Sequence, residues 1–288
     1  SPNGEGDFRP SAFNYDGSIA VVLSYETFTQ YFFQLIDGNY QLMPSLTNSF
    51  SNLDQDNALL ISKDNNKYAT YENVYKKNQG SWELEGTLNP SNNPYYSLAM
   101  NHIITGYAKS ESGGYDGLNS NGKITVFDYN NGISTQKGNE IYGISDGSRI
   151  GLKQGSLAID ESINTIAFIS WGQNGSTVME EGEYANVYKY DENTNQWNQK
   201  GQTFEAVGTK FQGILLSEDG NIVTLLESKR QGESQGEGNI KRYEYNNNVW
   251  TQIGSMVVIP FEWSGLEFRM EKNTIYINSF IQKMIKKY

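Results

Sequence analysis

The stretch NVYKYDENTNQWNQKG, residues 186–201, decides the fold because close copies of it recur along the chain. It joins a tyrosine-bearing run, which favours a β-strand, to a polar turn, a tryptophan and a glycine. The copies are NIKRYEYNNNVWTQIG (239–254), NVYKKNQGSWELEG (73–86), KITVFDYNNGISTQKG (123–138) and, more loosely, QYFFQLIDGNYQLMPS (30–45). FIQKMIKKY at the C-terminus resembles the first half of a further copy. This recurrence predicts a repeat architecture.

A second motif precedes each copy and consists of two apolar strands around a tight turn of Asp, Asn and Gly. It occurs six times, beginning at Ser11, Ala58, Tyr96, Gly155, Gly213 and Gly265. Asp16-Gly17 and Asp219-Gly220 are two-residue hairpin signals. Second strands such as SIAVVLS and TIAFIS are nearly continuous apolar runs, which suits strands buried on both faces. Each unit therefore has four antiparallel strands.

The length of the repeating unit indicates the fold class. Six units in 288 residues give about 48 residues each, which is the period of β-propeller blades. The sequence predicts an all-β fold, a single β-propeller domain over residues 1–288 with about six four-stranded blades, or seven if the chain is truncated. A β-solenoid and a pair of sandwiches are the alternatives. The approximate blades are 11–50, 56–90, 95–142, 155–207, 212–258 and an incomplete 264–288.

The incomplete last blade leaves two readings open. The N-terminal SPNGEGDFRP supplies its missing strand, or the chain continues beyond Tyr288.

Composition excludes several classes of function. The chain has 22 basic and 33 acidic residues and a net charge of -11, which argues against nucleic acid and against an anionic membrane surface. It contains no apolar run near the ~20 residues that span a bilayer. There is no cysteine, and the one histidine, His102, is expected to be a turn residue. A site built on several histidines or on cysteines is therefore excluded within one chain.

The order of apolar strand, S-x-D-G turn, apolar strand, V-Y-x-Y, polar turn and W-x-Q-x-G resembles the integrin-alpha-like (FG-GAP-like) β-propeller repeats. LLSEDGNIVTLL (215–226) with IKRYEYNNNVWTQIG (240–254) matches this pattern best, and VYKYDENTNQWNQKG (187–201) matches it nearly as well. The resemblance covers most of the chain. It implies an interaction or adhesion module of a secreted or surface protein of bacteria or their viruses. Some members bind glycans between blades, and many carry calcium.

The calcium pattern of that family, D-x-D-x-D-G, is not kept here. Asp191, Asn193 and Asn195 stand at alternate positions, but Gln196 takes the place of the glycine and no acidic residue closes the loop. The sequence therefore predicts a hairpin turn without a metal or other cofactor, and calcium at these three residues is the alternative.

Unequal loops on one face mark the candidate binding site. The loops that join strand two to strand three are long in three units, at 109–122, 172–184 and 228–238, and the links 89–96 and 143–155 lie on the same side. Loops longer than closure requires often carry function. Aromatic rings beside carboxylates and amides suit sugars, since the rings stack and the polar groups bind hydroxyls. The candidate residues are Tyr115, Asp116, Trp171, Glu180, Glu181, Glu183, Arg230, Glu233, Tyr95, Asp146 and Arg149.

The recurrent tryptophans have a different expected role. Trp82, Trp197 and Trp250 hold one position of the repeat, which predicts packing between neighbouring blades.

Three functions follow from this sequence. The first is a non-catalytic binding or adhesion module outside the cell, or on a cell or virion surface, with a glycan or a protein as its partner. The second is a structural subunit of a virion, tail fibre or surface filament. The third is a glycan-cleaving enzyme with paired carboxylates, although nothing in the sequence places two carboxylates around one bond. The sequence favours the first, without nucleic acid and without membrane insertion.

Overall fold

The fold is built entirely from β-strands that pair in chain order. The computed structural model describes residues 8–14, 18–24, 29–43, 48–49, 60–70, 72–88, 96–111, 122–143, 149–151, 155–171, 184–207, 209–229, 237–260, 266–271, 274–279 and 284–287. Within these ranges the strands form six antiparallel sheets. Within the same ranges, no helix is long and apolar enough to cross a membrane.

The first two sheets are made by the N-terminal residues. Sheet 1 contains β1 (Phe8–Phe13), β2 (Ile19–Ser24), β3 (Thr29–Ile36), β4 (Asn39–Leu42) and, beside β3, β5 (Asn48–Ser49). Sheet 2 contains β6 (Leu60–Ile61), β7 (Lys67–Ala69), β8 (Asn73–Asn78) and β9 (Ser81–Thr87).

Sheets 3 and 4 each have a main path of four strands with short additions. Sheet 3 contains β10 (Tyr96–Met100), β11 (Gly106–Glu111), β12 (Lys123–Asn130), β13 (Ile133–Gln136) and, beside β12, β14 (Ile141–Tyr142). Sheet 4 contains β15 (Arg149–Ile150), β16 (Leu157–Ile159), β17 (Thr165–Trp171), β18 (Tyr184–Asp191), β19 (Gln196–Gln199) and β20 (Phe204–Glu205). Both β15 and β16 pair with β17, so the first strand of this sheet is divided in two.

The last two sheets differ in strand number. Sheet 5 contains β21 (Thr209–Leu216), β22 (Ile222–Lys229), β23 (Glu237–Asn246) and β24 (Val249–Pro260). Sheet 6 contains β25 (Leu266–Glu271), β26 (Thr274–Ser279) and β27 (Met284–Lys287).

The prediction of about six four-stranded blades, or seven, is wrong. In the described part of the chain, five sheets have the four-stranded order and the sheet at 266–287 has three strands. The count was too high because only part of each repeat has a clear sequence motif. The apolar hairpin that begins each unit specifies only two strands, and the outer strands depend on a separate, more variable motif. The number of apolar hairpins is therefore larger than the number of four-stranded sheets in the described ranges.

The chain divides into two compact units, which are described separately. The first comprises residues 1–90, 102–105 and 129–135, and the second comprises 91–101, 106–128 and 136–288. In the first unit, Ile19, Val21, Phe32, Ile61 and Tyr68 form a buried apolar core. In the second unit, two cores lie between successive sheets, one between sheets 3 and 4 and one between sheets 4 and 5. The core side chains alternate along each strand, as the period of a pleated strand requires.

One polar side chain fixes the first hairpin of each of the five four-stranded sheets. In each case it follows the first strand, and its oxygen accepts a hydrogen bond from the backbone N–H five residues later, at 2.8–3.1 Å. The side chains are those of Asn14, Ser62, Asn101, Asp160 and Ser217. Ser, Asn and Asp are suited to this role because their short side chains bond to nearby backbone. The repeat therefore has a turn signature more general than the Asp-Gly pair.

The predicted packing role of the recurrent tryptophans is confirmed for two of them. Trp197 of sheet 4 is 4% exposed and packs in the core shared with sheet 3, and Trp250 of sheet 5 is 3% exposed and packs in the core shared with sheet 4. Trp82 is partly buried, 5.6 Å from Phe32 and 4.8 Å from Tyr68 between ring centroids.

Each buried tryptophan is held by a glycine and a carbonyl group of the preceding sheet. The Trp197 indole N–H donates to the Lys137 carbonyl at 2.8 Å, and the Trp250 indole N–H donates to the Lys200 carbonyl at 2.7 Å. The next residue is a glycine in both sheets. A Cβ atom at Gly138 would lie 2.8 Å from Trp197 Cδ1, and one at Gly201 would lie 2.5 Å from Trp250 Cδ1. A side chain at either glycine would therefore displace the ring.

Candidate ligand-binding site

The long loops of sheets 3, 4 and 5 leave the same end of the second compact unit. They follow β11, β17 and β22, which end at Glu111, Trp171 and Lys229. At the opposite end the first turns of the three sheets touch. The Asn101 side chain donates to the Glu161 carbonyl at 3.0 Å, and the Glu161 N–H donates to the Glu218 carbonyl at 3.0 Å. Because the turns meet at one end, the ends of the strands that carry the loops lie together at the other, called here the loop-side end.

Most of the candidate binding residues lie outside the described ranges. These are Tyr95, Tyr115, Asp116, Asp146, Glu180, Glu181, Glu183, Arg230 and Glu233. The structure describes the backbone of Trp171 and Arg149. Trp171 ends β17 directly before the loop at 172–184, as expected, and Arg149 of the link 143–155 lies on β15. The two residues are direct cross-strand partners. The structure thus brings together, at the loop-side end of sheet 4, two candidate residues that are separated by 22 positions in sequence.

On the opposite face of sheet 4 from this pair lie two buried polar atoms with unused hydrogen-bonding capacity. Ser170 and Asn186 share one face of sheet 4, because Ser170 pairs with Tyr184 and Asn186 lies two residues further along β18. Both side chains are buried, and neither Ser170 Oγ nor Asn186 Nδ2 has a hydrogen-bond partner. An unpaired buried polar group costs about 1–3 kcal/mol. A ligand oxygen or an ordered water at this position would remove that cost.

The amide of Asn186 has a defined orientation. Gln199 Nε2 donates to Thr203 Oγ1 at 3.1 Å, and Thr203 Oγ1 donates to Asn186 Oδ1 at 2.7 Å. Because these hydrogen bonds engage the amide oxygen of Asn186, its Nδ2 atom is the group that remains free to donate. Ser170 Oγ and Asn186 Nδ2 can therefore both donate a hydrogen bond to an acceptor oxygen.

The corresponding place in sheet 5 is occupied by an ion pair. Glu227 is buried, and its Oε2 atom lies 2.9 Å from Lys241 Nζ and accepts a hydrogen bond from Thr209 Oγ1 at 3.2 Å. Gln212 Nε2 donates to Ser228 Oγ at 2.9 Å beside it. A buried carboxylate with these partners is held in a fixed position.

Sheet 3 places a second acidic group at the loop-side end. Glu140 accepts hydrogen bonds from Lys123 Nζ, at 2.7 Å, and from the hydroxyl group of Tyr142. The hydrogen bond from Lys123, followed by that from Tyr142, lowers the pKa of Glu140, and the same bond to Glu140 raises the pKa of Tyr142. The carboxylate and the phenol group thus stay in their usual charge states near neutral pH.

The turn considered for calcium, Asp191 to Asn195, has its oxygens engaged within the turn. Asp191 Oδ1 accepts from the Asn193 N–H at 3.0 Å, and Asp191 Oδ2 accepts from Thr194 Oγ1 at 2.9 Å. Hydrogen bonds from Thr194 and Asn193 lower the pKa of Asp191. Asn195 has a φ of 56° and accepts from the Tyr190 hydroxyl at 2.8 Å. Over the described ranges, no group of three or more His, Cys, Asp or Glu residues is arranged to hold a metal ion.

Sequence reasoning missed two lysines, Lys137 and Lys200, which directly precede the glycines that face the buried tryptophan rings. Lys200 is buried, and its Nζ atom donates to the Gly220 carbonyl at 2.6 Å and to Asn221 Oδ1 at 2.9 Å. The ammonium group also lies 4.7 Å from the centroid of the Tyr245 ring. Lys137 lies over Tyr190 in the same way, at 4.9 Å. The signal was present in the sequence, since Gln-Lys-Gly occurs at both 136–138 and 199–201.

The buried Lys200 predicts a pH dependence of stability. Burial, with a smaller contribution from Lys189, lowers the pKa of Lys200 below its ordinary value of 10.5. Between the lowered pKa and 10.5 the unfolded chain binds more protons than the folded protein, so this lysine makes the free energy of unfolding rise with pH in that window. We expect Lys200→Met to flatten this rise in chemical denaturation at a series of alkaline pH values. Lys76→Met, at an exposed lysine, is the control. Equal pH slopes for wild type and Lys200→Met would contradict the expectation.

Comparison with known proteins defines the fold. No protein-family model matches the sequence, and no curated protein matches it. The β-propeller domain of Cps50 (Swd1) from Myceliophteria thermophila superposes with a TM-score of 0.57 at 9% identity, covering 97% of this chain and 83% of that one. A protein provisionally assigned as a 6-phosphogluconolactonase from Bacteroides fragilis gives 0.54 at 13% identity, covering 97% and 82%. A luciferin-regenerating enzyme gives 0.52 at 12% identity, covering 95% and 82%.

These similarities establish an all-β, β-propeller fold and leave the function open. The identities are low, and the three structures carry unrelated names, two of which are names of enzymes. None of the three is of the integrin-alpha-like type, so that resemblance stays a prediction.

Proposed function

We propose that this β-propeller is a non-catalytic binding module outside the cell, or on a cell or virion surface, that recognises a glycan or a protein at the loop-side end of sheets 3–5. The observation that carries the proposal is the composition of that end of sheet 4. Arg149 and Trp171 are cross-strand partners on one face there, and Ser170 and Asn186, on the other face of the same sheet, have unused hydrogen-bonding capacity.

A glycan is the ligand that this chemistry favours. A tryptophan offers a flat apolar surface for a sugar ring, and an arginine offers several donors for its oxygens. On the opposite face of sheet 4, Ser170 Oγ and Asn186 Nδ2 suit an acceptor oxygen. A negatively charged polymer is disfavoured by the net charge of -11.

The carboxylates that the structure describes at the loop-side end support binding over catalysis. Glu227 is held by Lys241, and Glu140 is held by Lys123 and Tyr142. Glycoside hydrolysis requires one carboxyl group that gives up a proton and a second that faces it across the bond. Two carboxylates that are each tied to a lysine are poorly suited to those roles.

A glycan array probed with the whole chain tests this function. We expect binding to a restricted set of glycans, with a loss of at least about tenfold in affinity for Trp171→Ala and for Arg149→Ala. Tyr40→Ala removes an exposed aromatic ring on β4, which belongs to the first compact unit, and should leave binding unchanged. A blank array together with a blank protein pull-down would contradict the proposal, as would equal affinities for Trp171→Ala and wild type.

A further inference from the structure

Sheets 4 and 5 have the same two positions at the loop-side end, but these positions hold different side chains. In sheet 5 they are Glu227 and Lys241, and in sheet 4 they are Ser170 and Asn186. Ser170 and Glu227 each lie five residues after the backbone N–H that the first turn of the sheet binds. Asn186 and Lys241 each lie opposite the residue two places before that. The register therefore makes the two pairs equivalent.

The pair in sheet 5 supplies its own acceptor, and the pair in sheet 4 does not. Glu227 Oε2 lies 2.9 Å from Lys241 Nζ and accepts a hydrogen bond from Thr209 Oγ1. Ser170 and Asn186 are shorter and uncharged, are 5% and 1% exposed, and have no partner for Ser170 Oγ and Asn186 Nδ2. Where one repeat holds a carboxylate, the other therefore presents two unused donors.

The Ser170–Asn186 pair borders the apolar core between sheets 3 and 4. Ile150 is the cross-strand partner of Ser170, and Phe168 is the cross-strand partner of Asn186. Ile150 and Phe168 belong to that core and are 0% and 2% exposed. The two donors thus lie beside a buried apolar surface.

A row of cross-strand partners leads from this pair towards solvent. Tyr184 pairs with Ser170, and Glu205 pairs with Tyr184. Exposure rises along the row, since Ser170 is buried, Tyr184 is partly exposed and Glu205 is exposed. Cross-strand partners share one face of a sheet. An aromatic residue and a carboxylate therefore lie between the buried donors and the outer edge of sheet 4.

These neighbours favour an uncharged acceptor. Burial of a charge is costly unless a counter-charge pairs with it, and in sheet 4 an amide stands where sheet 5 has the Lys241 ammonium group. Glu205, the charged residue of the row, would repel a ligand carboxylate. A carbonyl oxygen is uncharged and has two lone pairs for two donors. A methyl group attached to that carbonyl suits the apolar surface of Ile150 and Phe168.

We propose that the Ser170–Asn186 pair binds the acetyl group of an acetylated glycan. The carbonyl oxygen accepts hydrogen bonds from Ser170 Oγ and Asn186 Nδ2. The methyl group contacts Ile150 and Phe168, and the sugar ring lies against Tyr184. This inference rests on the proposed function, because it names the class of glycan that the loop-side end recognises. N-acetyl and O-acetyl groups both offer this carbonyl and methyl group.

A glycan array that presents each sugar in N-acetylated, O-acetylated and unacetylated form is the probe for the whole chain. We expect acetylated glycans to bind at least about tenfold more tightly than the same glycans without the acetyl group, because a site built for a hydrogen-bonding group rejects analogues that lack it. The comparison of the N-acetylated and O-acetylated arms identifies which linkage the site accepts.

Ser170→Ala tests the role of the donor. It should reduce the preference for the acetylated form by about 2- to 10-fold, the effect of one hydrogen bond, and leave affinity for the unacetylated form unchanged. It should not lower the midpoint of urea unfolding, because the deleted hydroxyl group has no partner in the free protein. Ser134→Ala is the matched control, since it removes another buried hydroxyl group without a partner, in the first compact unit. It should change neither the preference nor the midpoint.

The outcomes separate this inference from the proposed function. Glycan binding without a preference for acetyl groups would overturn the inference and leave the proposed function standing. A blank array would overturn the inference, and the protein pull-down would then decide the proposed function. An unchanged preference in Ser170→Ala would also overturn the inference and would mean that the pair binds only an ordered water.

Discussion

Replacing Trp250 by alanine should lower the free energy of unfolding by about 3–5 kcal/mol, the loss that accompanies truncation of a fully buried large aromatic side chain. The indole ring is 3% exposed and contacts Phe204 and Tyr245 at centroid distances of 6.0 and 5.0 Å. The truncation also leaves the Lys200 carbonyl without its indole donor. The cavity and the unpaired carbonyl group both lower the free energy of unfolding.

Chemical denaturation of the whole chain measures this loss. Val249→Ala is the matched control, because Val249 precedes Trp250 on β24 and its side chain is 49% exposed. The control should change the free energy of unfolding by no more than about 0.5 kcal/mol. A loss below about 1 kcal/mol for Trp250→Ala would show that the ring does not hold sheets 4 and 5 together.

Gly201→Ala should destabilise the protein by about 2–5 kcal/mol, and Gly254→Ala by only about 1–2 kcal/mol. Both glycines have positive φ, at 77° and 68°, so both substitutions carry the cost of about 1–2 kcal/mol for a Cβ atom in the left-handed region. Only at Gly201 would the new Cβ atom also meet an indole ring, 2.5 Å from Cδ1 and 2.7 Å from Nε1 of Trp250. Overpacking of this kind adds about 1–3 kcal/mol.

The comparison of the two glycine variants separates backbone strain from packing. Both proteins differ from wild type by one methyl group at the same position of the repeat. Equal losses in urea unfolding would mean that the indole ring moves aside without cost, and the packing role assigned to Gly201 would then be wrong.

Much of the fold was accessible from sequence because its determinants are local. Asp219-Gly220 and the other turns specify hairpins, and Trp197 and Trp250 reveal the repeat by their spacing. The count of about six four-stranded blades, or seven, was wrong, although the sequence marked the last unit, 264–288, as incomplete. Whether a fourth strand joins a sheet depends on a pairing partner far along the chain, and the hairpin of residues 265–279 looks in sequence like the others.

The candidate site was less accessible from sequence, for a different physical reason. Trp171 was chosen beside a loop and Arg149 in a link, but their proximity to each other comes from a cross-strand pairing that only the register of β15 and β17 establishes. Ser170 and Asn186 gave no signal, because isolated polar residues are common in strands. Their unused hydrogen-bonding capacity is a property of the folded environment and leaves no pattern in sequence.

The tryptophan contact between sheets has a direction. Each of sheets 4 and 5 gives its ring backwards along the chain, to the sheet before it. Such a contact joins two different surfaces and is heterologous, in contrast to the self-complementary contact of a symmetric dimer. A heterologous contact can be repeated from one sheet to the next, whereas a self-complementary contact is complete with two partners. The order of sheets 3, 4 and 5 is therefore polar, because each contact uses the donating surface of one sheet and the receiving surface of the sheet before it.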